Sequence, residues 1–210
     1  MCPSDFAATL IRNMKSVLLF LSQGFEEYEA SVFTDVIGWS RMYGTVPVGL
    51  KTTGLRNEIH CTWNLIVRPE LTFDKINVKD YDALAIPGGF ETARYYEDAF
   101  DERFLDLIRR FDQQGKIIAS VCVGALPIGK SGVLKNRNAT TYDLDDLNGS
   151  RRKQLAELGA IVKNERIVVD KNIITSTGPS TGLDVAFTLL RMLTNEENVK
   201  AVKKHMRFES

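Results

Sequence analysis

Continuous apolar runs alternate along this chain with segments whose apolar positions recur every three or four residues. Ser16–Leu21 (SVLLFL) has no polar position after its serine, the pattern of a strand covered on both faces of a parallel sheet. Glu26–Gly44 then places Ala30, Val32, Phe33, Val36 and Ile37 at helical spacing, with Gly44 as its stop. Thr45–Leu50 (TVPVGL) reads as a second strand, and Pro47, which has no N–H to give a ladder, points to a sheet edge. Thr52–Val67 is less regular, and HCTWNLIV within it fits a strand or a hairpin arm. Asp82–Pro87 (DALAIP) is another buried strand, ended by Gly88, Gly89 and Phe90.

Asp101–Lys116 gathers Phe104, Leu105, Leu107, Ile108 and Phe111 on one helical face and stops at Gly115. The apolar strand Ile117–Val121 follows. Beyond it come NATTY, a polar helical stretch over Arg151–Leu158, and a hairpin over Arg166–Thr177 that turns at Asp170–Asn172. A helix beginning near Ser180 and a last one within Asn195–Phe208 complete the pattern. Strand and helix in alternation predict an α/β fold, a mostly parallel sheet with helices on both faces. No repeat, low-complexity segment or linker interrupts it. Residues 1–14 read as an N-terminal extension without a secretory signal, and residues 15–210 as one domain.

Composition removes several functional classes. The 27 Lys and Arg balance the 27 Asp and Glu, which gives no reason to expect nucleic acid as a partner. No apolar run reaches the length of a membrane span. Cys2, Cys61 and Cys122 are too few and too scattered for a disulfide framework, and no C-x-x-C pair suggests zinc or thioredoxin-like chemistry. A reducing, cytoplasmic location is the expectation.

Candidate chemistry concentrates at strand ends. Ser120-Val121-Cys122-Val123-Gly124 has the small-x-Cys-x-Gly form of a nucleophile elbow, in which small flanks let a sharp strand-to-helix turn close. There Cys122 would project from the carboxyl end of a strand, where open α/β sheets bind ligands. The following helix would lower its pKa and supply donors for an oxyanion. Read structurally, Cys122 is equally a small, inert core thiol. Gly88-Gly89 is either a plain turn or a loop whose amides complete an oxyanion hole with the amide after the nucleophile. Glu26, Glu27 and Glu29 open a helix, where acids complement the dipole. At most one is expected to face a cleft as a proton carrier.

The two histidines, His60 and His205, sit at no strand-end loop, so a Cys-His-Asp triad is not visible. No acidic or histidine cluster has metal-ligand spacing, and Asp143, Asp145 and Asp146 read as a turn and helix cap.

In order and spacing, LFLSQGFEEYEA, DALAIPGGF, IIASVCVGALPIGKSGVLKNRNATTY and VVDKNIITSTGPSTGLDVAF resemble the ThiJ/PfpI superfamily from about Lys15 to the last helix. The resemblance implies a flavodoxin-like sandwich, a homodimer and no cofactor. It also implies roles: Cys122 the reactive cysteine, Glu29 its protonated carboxylic acid partner, and Gly88, Gly89 and the Val123 amide the oxyanion hole. Tyr142 and Pro179 would line the pocket.

Departures narrow the chemistry. Tyr142 stands where glyoxalase- and deglycase-type members carry histidine, and a phenol with pKa near ~10 is a poor proton shuttle at neutral pH. Val123 stands where the family's proteases have histidine, and the late H-x-E pair of glutamine amidotransferases is absent. Isonitrile hydratases share the GVLK-to-TTY stretch but usually show Cys-Thr at the elbow and Asp at the Glu29 position. The expectation is a cysteine-dependent enzyme for a small electrophile such as a reactive aldehyde. The alternatives are an oxidative-stress sensor that uses the same cysteine, or an isonitrile hydratase.

Overall fold

The computed structural model describes residues 14–144 and 150–208. β1 (Lys15–Phe20) enters the core at once, with Val17 to Phe20 almost fully buried. α1 (Glu27–Tyr43) buries Val32, Phe33, Val36 and Ile37, the face its periodicity predicts. β2 spans Val48–Gly54, later than TVPVGL suggested, because the strand pairs only once past Pro47. The irregular region forms a small antiparallel hairpin of β3 (Ile59–His60) and β4 (Ile66–Val67), followed by β5 (Leu71–Thr72). It is the two-residue β5, not β2, that forms the sheet edge.

β6 (Ala83–Ile86) leads through the glycine pair to α2 (Tyr95–Ala99) and α3 (Glu102–Gln113), the latter capped by Asp101 at the Arg103 N–H. β7 (Ile117–Ser120) ends in a single 3₁₀ turn, Cys122–Gly124, before the short α4 (Ala125–Lys130). β8 (Asn138–Ala139), α5 (Arg151–Glu157) and β9 (Ile161–Val162) precede the hairpin β10 (Ile167–Asp170) and β11 (Ile173–Ser176). That hairpin turns through Lys171 at φ 55°, as the sequence places it. α6 (Gly182–Leu193) and α7 (Glu196–His205) close the chain.

The seven-stranded sheet runs β10-β11-β7-β6-β1-β2-β5, parallel throughout except for β10. From β1 the chain crosses through α1 to β2 on one side, and from β6 through α3 to β7 on the other. Right-handed crossovers in opposite directions place α1 and α3 on opposite faces. α6 and α7 pack with α1, and α4 packs with α3 and α5. This is the doubly wound arrangement the alternation predicts. Its strand order reverses at β1 and β6, so their carboxyl ends open a crevice beside the end of β7.

Residues 1–13, and with them Cys2, lie outside the described residues, as do Asp145 and Asp146. Asp143 is described; it is exposed and faces Arg152 at 3.6 Å. No helix among the described residues is long and apolar enough to cross a membrane.

Candidate active site

The crevice is lined by the loops that follow β6 and β7 and by the first turn of α1. β7 gives way to Val121, still extended at φ −113° and ψ 144°, and then to Cys122 at φ 57°. A non-glycine residue held at positive φ is strained by crowding of its Cβ, and such strain persists only where the surroundings enforce it. Here they do: the Thr141 hydroxyl donates to the Cys122 carbonyl at 2.9 Å, and the Ala125 N–H donates to the same oxygen. The thiol that results is 7% exposed.

Glu29 reaches Cys122 from α1. It lies one turn before Val32 and Phe33 and two before Val36, so the apolar stripe of the helix carries it inward. Its side chain is fully buried, while Glu27 on the next face is only half-buried. Glu29 Oε2 accepts the Gly88 N–H at 2.6 Å. Oε1 is buried without a regular nitrogen or oxygen partner, and the group that faces the carboxyl is the Cys122 side chain. Burial, reinforced by the charge of Glu26, pushes the Glu29 carboxyl up to about 8, so it holds its proton at neutral pH. The hydrogen bond between the two side chains lowers the Glu29 pKa and raises that of Cys122, so in it the thiol donates to the carboxyl.

The expectation that the elbow lowers the thiol pKa does not hold. Burial raises Cys122 well above the ordinary cysteine value, and the charge of Glu29 raises it further, while the Val123 N–H pulls the other way. α4 is only six residues long and a 3₁₀ turn separates it from the sulfur, so its dipole is weak against desolvation. The repulsive contribution disappears when Glu29 is protonated. Burial is then opposed by the Val123 N–H.

The glycine pair is required by contact. A Cβ on Gly88 would sit 2.8 Å from Glu29 Oε2 and 3.1 Å from both Cys122 Cβ and the Val123 nitrogen. On Gly89 it would overlap the Gly24 carbonyl oxygen and approach Tyr95 Cδ2 to 2.5 Å. The Gly88 N–H is committed to Glu29, so among the expected oxyanion donors it is occupied. The Gly89 N–H finds no acceptor among the described residues, because its loop pairs with the β1 loop through Gly88 and Phe90 on either side.

Tyr142 is half-buried, and its ring lies against the backbone of Gly178, next to half-buried Pro179. The structure thus brings Cys122, Glu29, Gly88 and Val123 into contact. Tyr142 and Pro179 neighbour each other at the adjoining loop, which Thr141 ties to the elbow.

Two contributors carry no mark in the sequence. Tyr95, fully buried, donates its hydroxyl to the Pro87 carbonyl at 2.8 Å and so fixes the loop that carries Gly88. Thr141 braces the elbow. Glu27, expected to complement the helix dipole, instead accepts the N–H groups of Trp63, Asn64 and Leu65 at 3.0 to 3.4 Å and holds the tip of the β3–β4 hairpin. His60 is exposed, 3.9 Å from Glu58, and His205 stacks on Tyr43 at 4.6 Å between centroids. Cys61 is buried under the hairpin, where burial and Glu27 push its pKa up to about 12. No group of three or more His, Cys, Asp or Glu among the described residues is placed to hold a metal ion.

Residues 15–192 match the profile of the DJ-1/PfpI family. An isonitrile hydratase from Pseudomonas putida is 30% identical over 161 residues, 72% of this chain and 66% of that protein. A deglycase from Pyrococcus horikoshii is 31% identical over 114 residues, 54% of this chain and 63% of its own length. The crystal structure of Drosophila melanogaster DJ-1beta superposes with a TM-score of 0.79 at 25% identity, covering 92% of this chain and 98% of that one.

Proposed function

The chain belongs to the DJ-1/PfpI family, and we propose that within it this protein is a cofactor-independent enzyme that uses Cys122 to attack a small electrophile, such as a reactive aldehyde. The observation that carries the reading is the pairing of a strained, elbow-borne thiol with a fully buried carboxylic acid that is protonated at neutral pH. As sulfur attacks the carbonyl carbon the C–S bond forms and the C=O π pair moves onto oxygen; Glu29 takes the thiol proton as it passes its own to that oxygen, which leaves a neutral hemithioacetal and Glu29 protonated as before. The Gly89 amide, with no acceptor of its own, and the Val123 amide are the donors for that oxygen, and Glu29 moves the proton. Gly88 serves to hold Glu29. Tyr142 and Pro179 wall the substrate rather than exchange protons with it. The deglycase relative supports this branch. The proposed assembly is a cytoplasmic homodimer.

Lactate formation from methylglyoxal, measured for the parent and Cys122→Ala, tests the reading. Turnover lost in the variant supports it. Turnover retained in the variant removes Cys122 from the mechanism, and none in either protein removes aldehyde chemistry.

A second reading, isonitrile hydration, is favoured by the Pseudomonas putida relative, which matches 72% of this chain. It uses the same attack on a different carbon. Conversion of an alkyl isocyanide to the N-substituted formamide distinguishes it. Selective dioxidation of Cys122 by mild peroxide, without turnover of either substrate, would instead favour the sensor role.

A further inference from the structure

α2 is little more than one turn, yet two of its side chains act on the loops of the crevice. Tyr95 and Asp98 stand three residues apart, so one face of the helix carries both. Tyr95 donates to the Pro87 carbonyl and holds the start of the glycine loop. Asp98 is 3% exposed and acts on the loop after β1, where its Oδ2 accepts the Gln23 N–H at 2.9 Å.

The same carboxylate is held by Arg56, which follows β2. Arg56 Nε lies 3.0 Å from both Asp98 oxygens and Nη2 lies 2.9 Å from Oδ1, while Nη2 also reaches Glu97 Oε2 at 3.0 Å. A forked guanidinium on a buried carboxylate fixes direction as well as distance. Asp98 thus presents a fixed oxygen to Gln23.

From Gln23 the connection to the glycine loop runs through backbone alone. The carbonyl of Gly24, a residue at φ 66°, accepts the Phe90 N–H at 3.2 Å, and Phe25 bridges Gly89. The two loops touch so closely that a Cβ on Gly89 would lie 2.2 Å from the Gly24 oxygen. The thiol has anchors of its own, since Gly88 is bonded to Glu29 and the elbow to Thr141.

We propose that Asp98 is a positioning residue for the Gly89 amide, aiming it at the oxygen that develops when Cys122 adds to a carbonyl. The proposal rests on the reading of Cys122 as a nucleophile for aldehydes. It places control of the oxyanion donor on a carboxylate that acts through the backbone.

Two variants test it. Asp98→Asn has one acceptor oxygen where the carboxylate has two, so its amide N–H groups must face either the guanidinium or the Gln23 N–H. Arg56→Lys keeps the charge and loses the fork, at a half-buried position. In both, kcat for lactate formation from methylglyoxal is expected to fall, by about 10²-fold in Asp98→Asn and by less in Arg56→Lys. KM should stay near the parent value, because an oxyanion donor acts in the transition state. Iodoacetamide alkylation of Cys122, a displacement that forms no oxyanion, should keep the parent rate. Asn198→Ala is the control for lost stability. It removes a fully buried side chain bonded to Val46, ahead of the amino end of β2 and so opposite the crevice, and should keep the parent kcat.

Parent-like kcat in both test variants overturns the proposal and leaves the nucleophile in place. Alkylation that falls in step with turnover also overturns it, because the effect then lies on the thiol. An equal fall in Asn198→Ala does the same by assigning the loss to stability. If Asp98→Asn does not fold, Arg56→Lys decides alone. If the parent forms no lactate, the aldehyde reading falls and the proposal with it, because no oxyanion then needs a donor.

Discussion

The Gly88 N–H donates to Glu29 Oε2 at 2.6 Å, and the α-carbon that carries it leaves no room for a side chain: a Cβ there would lie 2.8 Å from the same oxygen. Glycine is thus the condition for a buried acid to sit beside Cys122. Gly88→Ala should displace Glu29, since the other neighbours are the Cys122 Cβ and backbone. The expected loss of Cys122-dependent turnover is about 10²-fold, the scale on which a misplacement of about 1 Å acts. Overpacking should also destabilise the fold by about 1–3 kcal/mol. Steady-state kinetics and urea unfolding measure the two effects, and parent-like kinetics would show that Glu29 does not depend on this contact.

Glu29 makes stability depend on pH in the direction opposite to a paired carboxylate. Its pKa rises from 4.5 in the open chain to about 8 in the folded protein. Between those values the folded state binds the extra proton, so the slope of unfolding free energy against pH is negative. The favourable contribution is complete below about 4.5, falls as pH rises toward 8, and levels off above it. The full span is about 5 kcal/mol, from 1.36 kcal/mol for each pH unit. Glu29→Gln has no such proton. Its stability relative to the parent should therefore grow from pH 5 to pH 8 and then stay constant. Urea unfolding at pH 5, 7 and 9 measures this; parallel profiles for the two proteins would mean that Glu29 ionises normally.

Elements long enough to show a period were legible in the sequence. β1, β6, β7, α1, α3 and the β10–β11 hairpin carry apolar runs, helical spacing or turn residues that no tertiary partner is needed to interpret. β5, β8 and β9 are two residues each, too short for a period, and exist because a neighbouring strand offers its edge. The elbow was legible because its small flanks are local. Thr141 and Tyr95 were not, since each binds a backbone carbonyl that only the fold brings near, 19 and 8 residues away. Glu27 shows the same limit, with partners 36 to 38 residues on. The direction of the Cys122 shift escaped because depth of burial outweighs a local helix end, and depth is a property of the assembled sheet.

Thr141 is expected to act on the cysteine through the backbone. Its hydroxyl donates to the Cys122 carbonyl, which the Ala125 N–H also reaches, so Thr141→Val leaves that oxygen one donor rather than none. The stability change should be about 1 kcal/mol. The elbow loses the brace that opposes its strain, so Cys122 alkylation should change while Thr141→Ser stays parent-like. Equal alkylation rates in the parent, valine and serine proteins would show that the hydroxyl does not position the thiol.

The strain at Cys122 predicts an inversion in stability between two of its variants. At an ordinary position, glycine destabilises relative to alanine by about 0.5–1 kcal/mol, because it loses more backbone freedom on folding. At φ 57° the alanine Cβ meets the same crowding as the cysteine Cβ, at about 1–2 kcal/mol, and glycine does not. The second effect is the larger, so Cys122→Gly should be more stable than Cys122→Ala by up to about 1 kcal/mol. Neither variant retains the nucleophile, so any activity difference is set aside and only unfolding is compared. Urea midpoints that place glycine below alanine would mean that the elbow relaxes once the thiol is gone. The conformation would then be held by the sulfur's contacts with Glu29 and Val123 rather than by the Thr141 brace and the turn itself.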